Sequence, residues 1–207
     1  MGAVVALDGL LATRRVWRGQ PVGRPASAPE PTGHAALDLA LPTGGWPEHA
    51  LSEVLLPADG MGELALIWPT LSRLTRAGQR VALIAPPYRP HAPAWHSAGL
   101  ELRHLQVVET AARDAMWAVE QCMRSGACSA VLCWPQKVDD RTLRRLSTAA
   151  GDGQCLGIAF RPLREAANPS PAALRLAIEP SDRSVRVLKC RGGTPPARAI
   201  ALTATAR

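Results

Sequence analysis

Apolar positions along the chain fall into short unbroken runs that alternate with stretches of helical spacing. Residues 51–56 form one run, closed by Pro57, and Leu64, Ile67, Trp68, Leu71 and Leu74 follow at helical intervals up to Gly78. Pro69 lies inside that helix, removes a backbone donor and predicts a kink. Residues 80–85 are a second run, ended by Pro86 and Pro87; residues 91–98 suit a short helix, and 102–108 a third run. Ala112, Ala115, Met116, Val119, Cys122 and Met123 then line one helix face, with Thr110 as the expected N-cap. A fourth run at 130–134 leads into a charged helix over 139–150 with Leu143 and Leu146 inward, and a fifth run covers 155–160. Residues 174–179 and 185–189 flank a polar turn and predict a late hairpin. Continuous apolar strands alternating with helices predict an α/β fold. Its sheet is mostly parallel and covered by helices on both faces, with an antiparallel hairpin at the C-terminal edge.

Two flanking segments read differently. Val4, Leu7, Leu10 and Leu11 make an amphipathic face, and Arg14, Arg15 and Arg18 follow where cations suit a helix C-terminus. Residues 1–18 are therefore expected to form a helical arm that packs on its own sheet or on a neighbouring subunit. Residues 19–33, with four prolines and three glycines, read as a linker. The core is expected over 34–191, and 192–207 reads as a flexible tail.

Composition narrows the class. Of 207 residues, 47% are hydrophobic and 20% charged, which excludes wholesale disorder. No apolar run approaches the ~20 residues of a membrane-spanning helix, and the N-terminus lacks the pattern of a secretory signal. Five cysteines without a C-x-x-C pair read as buried thiols in a reducing compartment, so a soluble cytoplasmic protein is expected. The net charge is +7, and residues 137–207 hold 13 basic against 6 acidic residues, the whole of the excess. Only Lys137 and Lys189 are lysine. Guanidinium groups suit an anionic partner, although a GC-rich genome explains the same bias equally well.

The most informative stretch begins at Thr32-Gly33, runs through Leu37-Asp38 and Gly44-Gly45-Trp46-Pro47, and continues with Glu53 in a strand and the loop Asp59-Gly60-Met61-Gly62-Glu63-Leu64. This resembles the entry to the core of the RecA recombinase family, whose phosphate loop ends in G-K-[ST]. The corresponding positions here are Gly62, Glu63 and Leu64. A strand, a glycine-containing loop and a helix start can hold an anion by backbone N–H groups, but Glu63 puts a carboxylate there. Two unit charges ~4 Å apart interact by ~4 kcal/mol at an effective dielectric of 20. The degenerate loop of Gly60, Gly62, Glu63 and Leu64 is thus expected to bind no nucleotide. Trp134-Pro135 likewise stands where an ATPase of this type carries its metal-binding aspartate. No catalytic residue, cofactor or metal is expected.

Further patterns extend the resemblance along nearly the whole chain. They are Leu10-Leu11 with Val16-Trp17-Arg18-Gly19, Ala85-Pro86-Pro87-Tyr88 with Pro90 and Ala92-Pro93, Arg161-Pro162-Leu163 with the segment 170–176, and the strand ending in Arg191-Gly192-Gly193. Together they resemble the ImuA family, translesion-synthesis accessory proteins distantly similar to RecA and to the division inhibitor SulA. The resemblance implies a non-catalytic, damage-induced assembly subunit that binds an inactive Y-family polymerase homologue (ImuB) and an error-prone DnaE-type replicase. It admits RecA and DNA as further contacts. The rival reading is a SulA-like division inhibitor that binds a cytoskeletal GTPase.

Candidate contacts are read from the residues. Arg141, Arg144 and Arg145 share one face of the helix over 139–150, with Arg161, Arg164, Arg186, Lys189 and Arg191 as an extension. They form either a solvated face or a sequence-independent contact with DNA phosphate or an acidic surface. Trp17, beside Arg18, and Trp46 lie off the core periodicity, as partner contacts or as packing within the chain. His91 and His96 read as surface residues without a third ligand, and Asp139-Asp140 as the charge that favours a helix start.

Overall fold

The computed structural model describes residues 30–179 and 183–202. The N-terminal arm, residues 19–29 of the linker, Trp17, Arg18 and residues 203–207 lie outside the described residues. Chain order runs through α1 (Ala35–Ala40), β1 (Leu51–Leu56), α2 (Glu63–Arg76), β2 (Val81–Ile84), α3 (Ala92–Ser97) and a 3₁₀ turn (Leu102–His104). It continues with β3 (Leu105–Val108), α4 (Ala112–Arg124), β4 (Ala130–Cys133), α5 (Asp140–Asp152) and β5 (Leu156–Pro162). A second 3₁₀ turn (Leu163–Ala167), β6 (Leu174–Glu179), β7 (Ser184–Cys190) and β8 (Ile200–Ala201) complete it.

The strands form one eight-stranded sheet in the order β3-β2-β4-β5-β1-β6-β7-β8. Pairing is parallel from β3 across to β6 and antiparallel from β6 to β8, so the mixed α/β sheet and its late hairpin match the hydrophobic pattern. The parallel strands β1, β2 and β4 are buried at every position because helices cover both sides. Leu66, Ile67 and Leu71 of α2 and Trp95 of α3 pack on one face, with Leu37 of α1. Val119 and Met123 of α4 and Leu143 and Leu146 of α5 pack on the other.

The stretch around Thr32 has a physical role in this packing. The Asp38 carboxylate accepts from the Thr32 backbone N–H at 2.8 Å and from its hydroxyl at 2.7 Å. Trp46 is wholly buried and donates its indole N–H to Thr70 at 2.9 Å. Its backbone N–H donates to the Glu30 carbonyl at 2.7 Å, and a Cβ on Gly45 would lie 2.2 Å from that oxygen, so only glycine lets the two segments meet. Arg73 pairs with the Glu30 side chain.

Three expectations change. Residues 30–33 are fastened to α2 and the Trp46 turn and belong to the core, not to the linker. β8 pairs with β7 at Val185↔Ile200, so part of the expected tail is sheet. Thr110 does not cap α4: the N-cap is Ala111, with no side-chain bond. α2 runs through Pro69, as the spacing of its apolar positions has it.

Candidate functional site

The loop after β1 opens at the centre of the sheet, at the C-terminal ends of the parallel strands, where open α/β sheets hold ligands. Gly62, the N-cap of α2, sits in the left-handed region at φ 94°. Glu63 follows, and its Oε1 accepts from the Gly60 backbone N–H at 3.0 Å across the loop. Glu63 is itself buried, and its Oε2 has no hydrogen-bond partner. A donor that an anion would use is thus taken by the chain's own carboxylate. Leu64 packs against the core and offers no oxygen. Beside the loop, Trp134 stacks on Phe160 with ring centroids 5.1 Å apart, putting an aromatic pair at the end of β4.

A buried ion cluster lies behind the loop. Glu53 of β1 is wholly inaccessible to solvent, and its two oxygens accept from Arg161 of β5 at 2.7 Å and from Arg175 of β6 at 2.6 Å. Arg161 also reaches Glu165 at 3.0 Å. Arg175 donates to three backbone carbonyls of the following loop: Glu165 at 2.8 Å, Asn168 at 3.0 Å and Ala166 at 3.3 Å. On this face α5 packs near Leu51 at the start of β1, and the 163–168 loop lies against the same strand. The loop's carbonyls need donors away from water, and Arg175 supplies them while Glu53 balances the charge. The sequence reading did not connect these residues. The signal was a carboxylate and two arginines set within apolar strands, since such residues are almost never fully buried unless paired.

The arginine face differs from the sequence expectation. Arg144 pairs with Asp140, one turn before it, at 2.6 Å. Arg145 pairs with Glu120 of α4, which also holds Arg124 at 3.2 Å. Only Arg141 of the three has no ion pair among the described residues. Asp139 caps α5 by accepting from the Thr142 backbone N–H at 2.8 Å, and that bond holds its carboxyl below the usual range. Arg161 is buried in the cluster and cannot be a surface contact. Arg186 pairs with Glu179 at 2.7 Å, and Lys189 donates to the Ser170 carbonyl at 2.7 Å. Arg164 and Arg191 are exposed. Trp46 is core, whereas Trp117 of α4, which the sequence reading did not single out, is 62% exposed.

Burial pushes the Cys133 and Cys155 thiols up to about 12. All five cysteines are free, and no group of three metal-binding side chains occurs among the described residues. No described helix is long and apolar enough to cross a membrane.

The family model "Cell division inhibitor SulA" matches residues 50–157. The chain belongs to the SulA family. The matched segment runs from the edge of β1 into β5, so it includes the Glu63 loop and both helices on the far face. The strands β6 to β8 of this SulA-family chain, with Arg161 and Arg175, lie outside it. A crystal structure of SulA from Pseudomonas aeruginosa aligns at 23% identity over 54% of this chain and 97% of that one, with a TM-score of 0.46. No curated protein matches the chain.

Proposed function

We propose that this SulA-family chain acts by binding partner proteins in an SOS-type response to DNA damage, and that it carries out no nucleotide chemistry. The observation that carries this reading is the Glu63 carboxylate on the Gly60 N–H. The loop resembles a phosphate loop in shape, but its charge opposes phosphate, and neither a lysine nor a hydroxyl follows Gly62. A RecA-like sheet that has lost its ATPase chemistry accounts for the loop and for Trp134 at the end of β4. What remains is a rigid sheet whose exposed surface can hold another protein.

The family match favours the mode of a cell-division inhibitor, which engages a cytoskeletal GTPase. A second mode rests on the segments outside 50–157, namely the Arg161-Pro162-Leu163 turn, the 170–176 stretch and the strand ending in Arg191-Gly192-Gly193. These resemble ImuA and support an accessory subunit that binds the inactive polymerase homologue ImuB and a DnaE-type replicase in the cytoplasm. Of the arginines read as contacts, Arg141 and Arg191 have no ion pair among the described residues, and Arg164 is exposed although it lies 3.8 Å from Glu165; these would meet DNA phosphate or an acidic partner surface in either mode, without base readout. The family match speaks more directly for the first mode.

One pair of measurements separates them. Induced expression with purified-partner binding to the cytoskeletal GTPase gives filamentous cells and a stable complex under the first mode. Deletion with binding to the polymerase homologue gives loss of damage-induced mutagenesis under the second. Absence of both interactions overturns the proposal. Calorimetry with magnesium and ATP should be flat, and a micromolar Kd would overturn the non-catalytic reading.

A further inference from the structure

The outer end of the sheet carries an uncovered apolar groove. On the face that holds α2, the short helix α3 covers β2 but stops before it can cover β3, the edge strand. Trp95, Leu102, Leu105 and Val107 line a cavity of about 200 Å³ there, rimmed by Arg89 and Glu109. Val107 is 41% exposed, high for a β-branched residue on a strand whose neighbour β2 is fully buried. The two side chains of β3 that face this way, Leu105 and Val107, alternate with Gln106 and Val108 as a strand requires.

We infer that this groove is the seat of the chain's own N-terminal segment, residues 3–18, docked within one molecule. The described chain starts on the same face. Glu30 is held by Arg73 of α2. One turn on, Arg76 donates to the Gly99 carbonyl at 2.9 Å, and Ser72 donates to it at 2.8 Å, so α2 abuts the exit of α3 that leads into the groove. Residues 19–29 can span up to about 35 Å when extended, and the path they follow starts at α2, the helix that also abuts α3. Val4, Leu7, Leu10 and Leu11 supply an apolar face of the length of two helical turns. The rim itself is balanced, with Arg89 paired to Glu109 at 3.4 Å and Arg103 to Glu101 at 3.8 Å, so the apolar floor is what the groove offers an occupant. The groove and the arm thus complete each other as two apolar faces, and the linker length favours the same molecule over a second copy.

Benzoylphenylalanine in place of Val107 tests the assignment by photo-crosslinking in the full-length protein. The expected product is a link to residues 3–18 at monomer mass, identified by peptide mass spectrometry. A link to the arm at dimer mass would overturn docking within one molecule, and no link to the arm would overturn the site. Independently, V107D should speed trypsin cleavage after Arg14, Arg15 and Arg18 at least five-fold, as should L7D combined with L10D and L11D. Cleavage at the wild-type rate in both variants would also overturn it. Neither readout requires a partner protein, so the outcome stands apart from the proposed function.

Discussion

Glu53 and Arg175 face each other on neighbouring strands in the register Glu53↔Arg175 and meet at 2.6 Å, both out of reach of solvent. The pair holds the 163–168 loop against the sheet, because the guanidinium that answers Glu53 also donates to that loop's carbonyls. Removing one member leaves a buried charge and unpaired polar groups. Glu53→Gln is expected to lower stability by about 3–5 kcal/mol, and Glu53→Ala by at least as much. Urea unfolding checks this. Arg175→Met, which fills similar volume, is expected to loosen the 163–168 loop first, seen as faster proteolysis at Arg164.

Glu63→Ala is expected to leave the fold intact and to cost about 1 kcal/mol, the typical loss of a helix-start hydrogen bond. The informative variant is Glu63→Lys with Leu64→Thr. Calorimetry should detect nucleotide binding only when both changes are present, since one removes the repulsion and the other supplies the oxygen for magnesium.

The folded-state pKa of Asp139 is depressed, chiefly by its hydrogen bond from Thr142. Its contribution to stability is therefore present above the unfolded-state value near 3.8 and is lost as pH falls through the lower, folded-state value. Asp139→Ala should melt at a lower temperature than wild type at pH 7, and the gap should close in strong acid. Asp139→Asn should retain much of the cap at every pH.

Cys133 and Cys155 have thiols raised by burial to about 12. For such groups, stability is full below the unfolded-state thiol pKa of 9.0 and declines as pH rises from there toward 12. In the native protein at pH 8 a thiol reagent should label Cys122 and Cys128 first and reach Cys133 and Cys155 only on unfolding.

The arginine face of α5 yields an ordered series. Arg141→Glu should change stability by no more than about 0.5 kcal/mol, as an unpaired surface site. Arg145→Glu should destabilise the protein markedly, because it sets a like charge against the buried Glu120, and Arg144→Glu should fall between them. Thermal melts of the three single variants check the order. Equal melting points would mean that the α4–α5 pairing contributes nothing.

Strand positions were legible in the chain because period and burial coincide: β1 occupies the predicted 51–56, and the hairpin of β6 and β7 falls at its predicted place. The turn between β1 and α2 was legible because Pro57 closes an apolar run and the glycines 60 and 62 precede a stretch of helical spacing. Arg145 was misread, since its partner Glu120 lies 25 positions away on another helix and spacing within α5 says nothing of it. The Glu53 cluster was missed for the same reason, its members being joined only by the crossover that seats β1 between β5 and β6. Trp46 looked irregular because it anchors a turn to α2, where no helical or strand period applies.

The placement of β6 gives the family segment an asymmetry. Cut after β5, at residue 162, the chain would end one side of its sheet on β1, a buried strand left with open backbone donors and with Glu53 deprived of Arg175. An edge of that kind invites pairing with other chains. The three C-terminal strands therefore serve as a seal that keeps this protein from polymerising through its own centre, with β8, two residues long, as the blunt end that stops further growth.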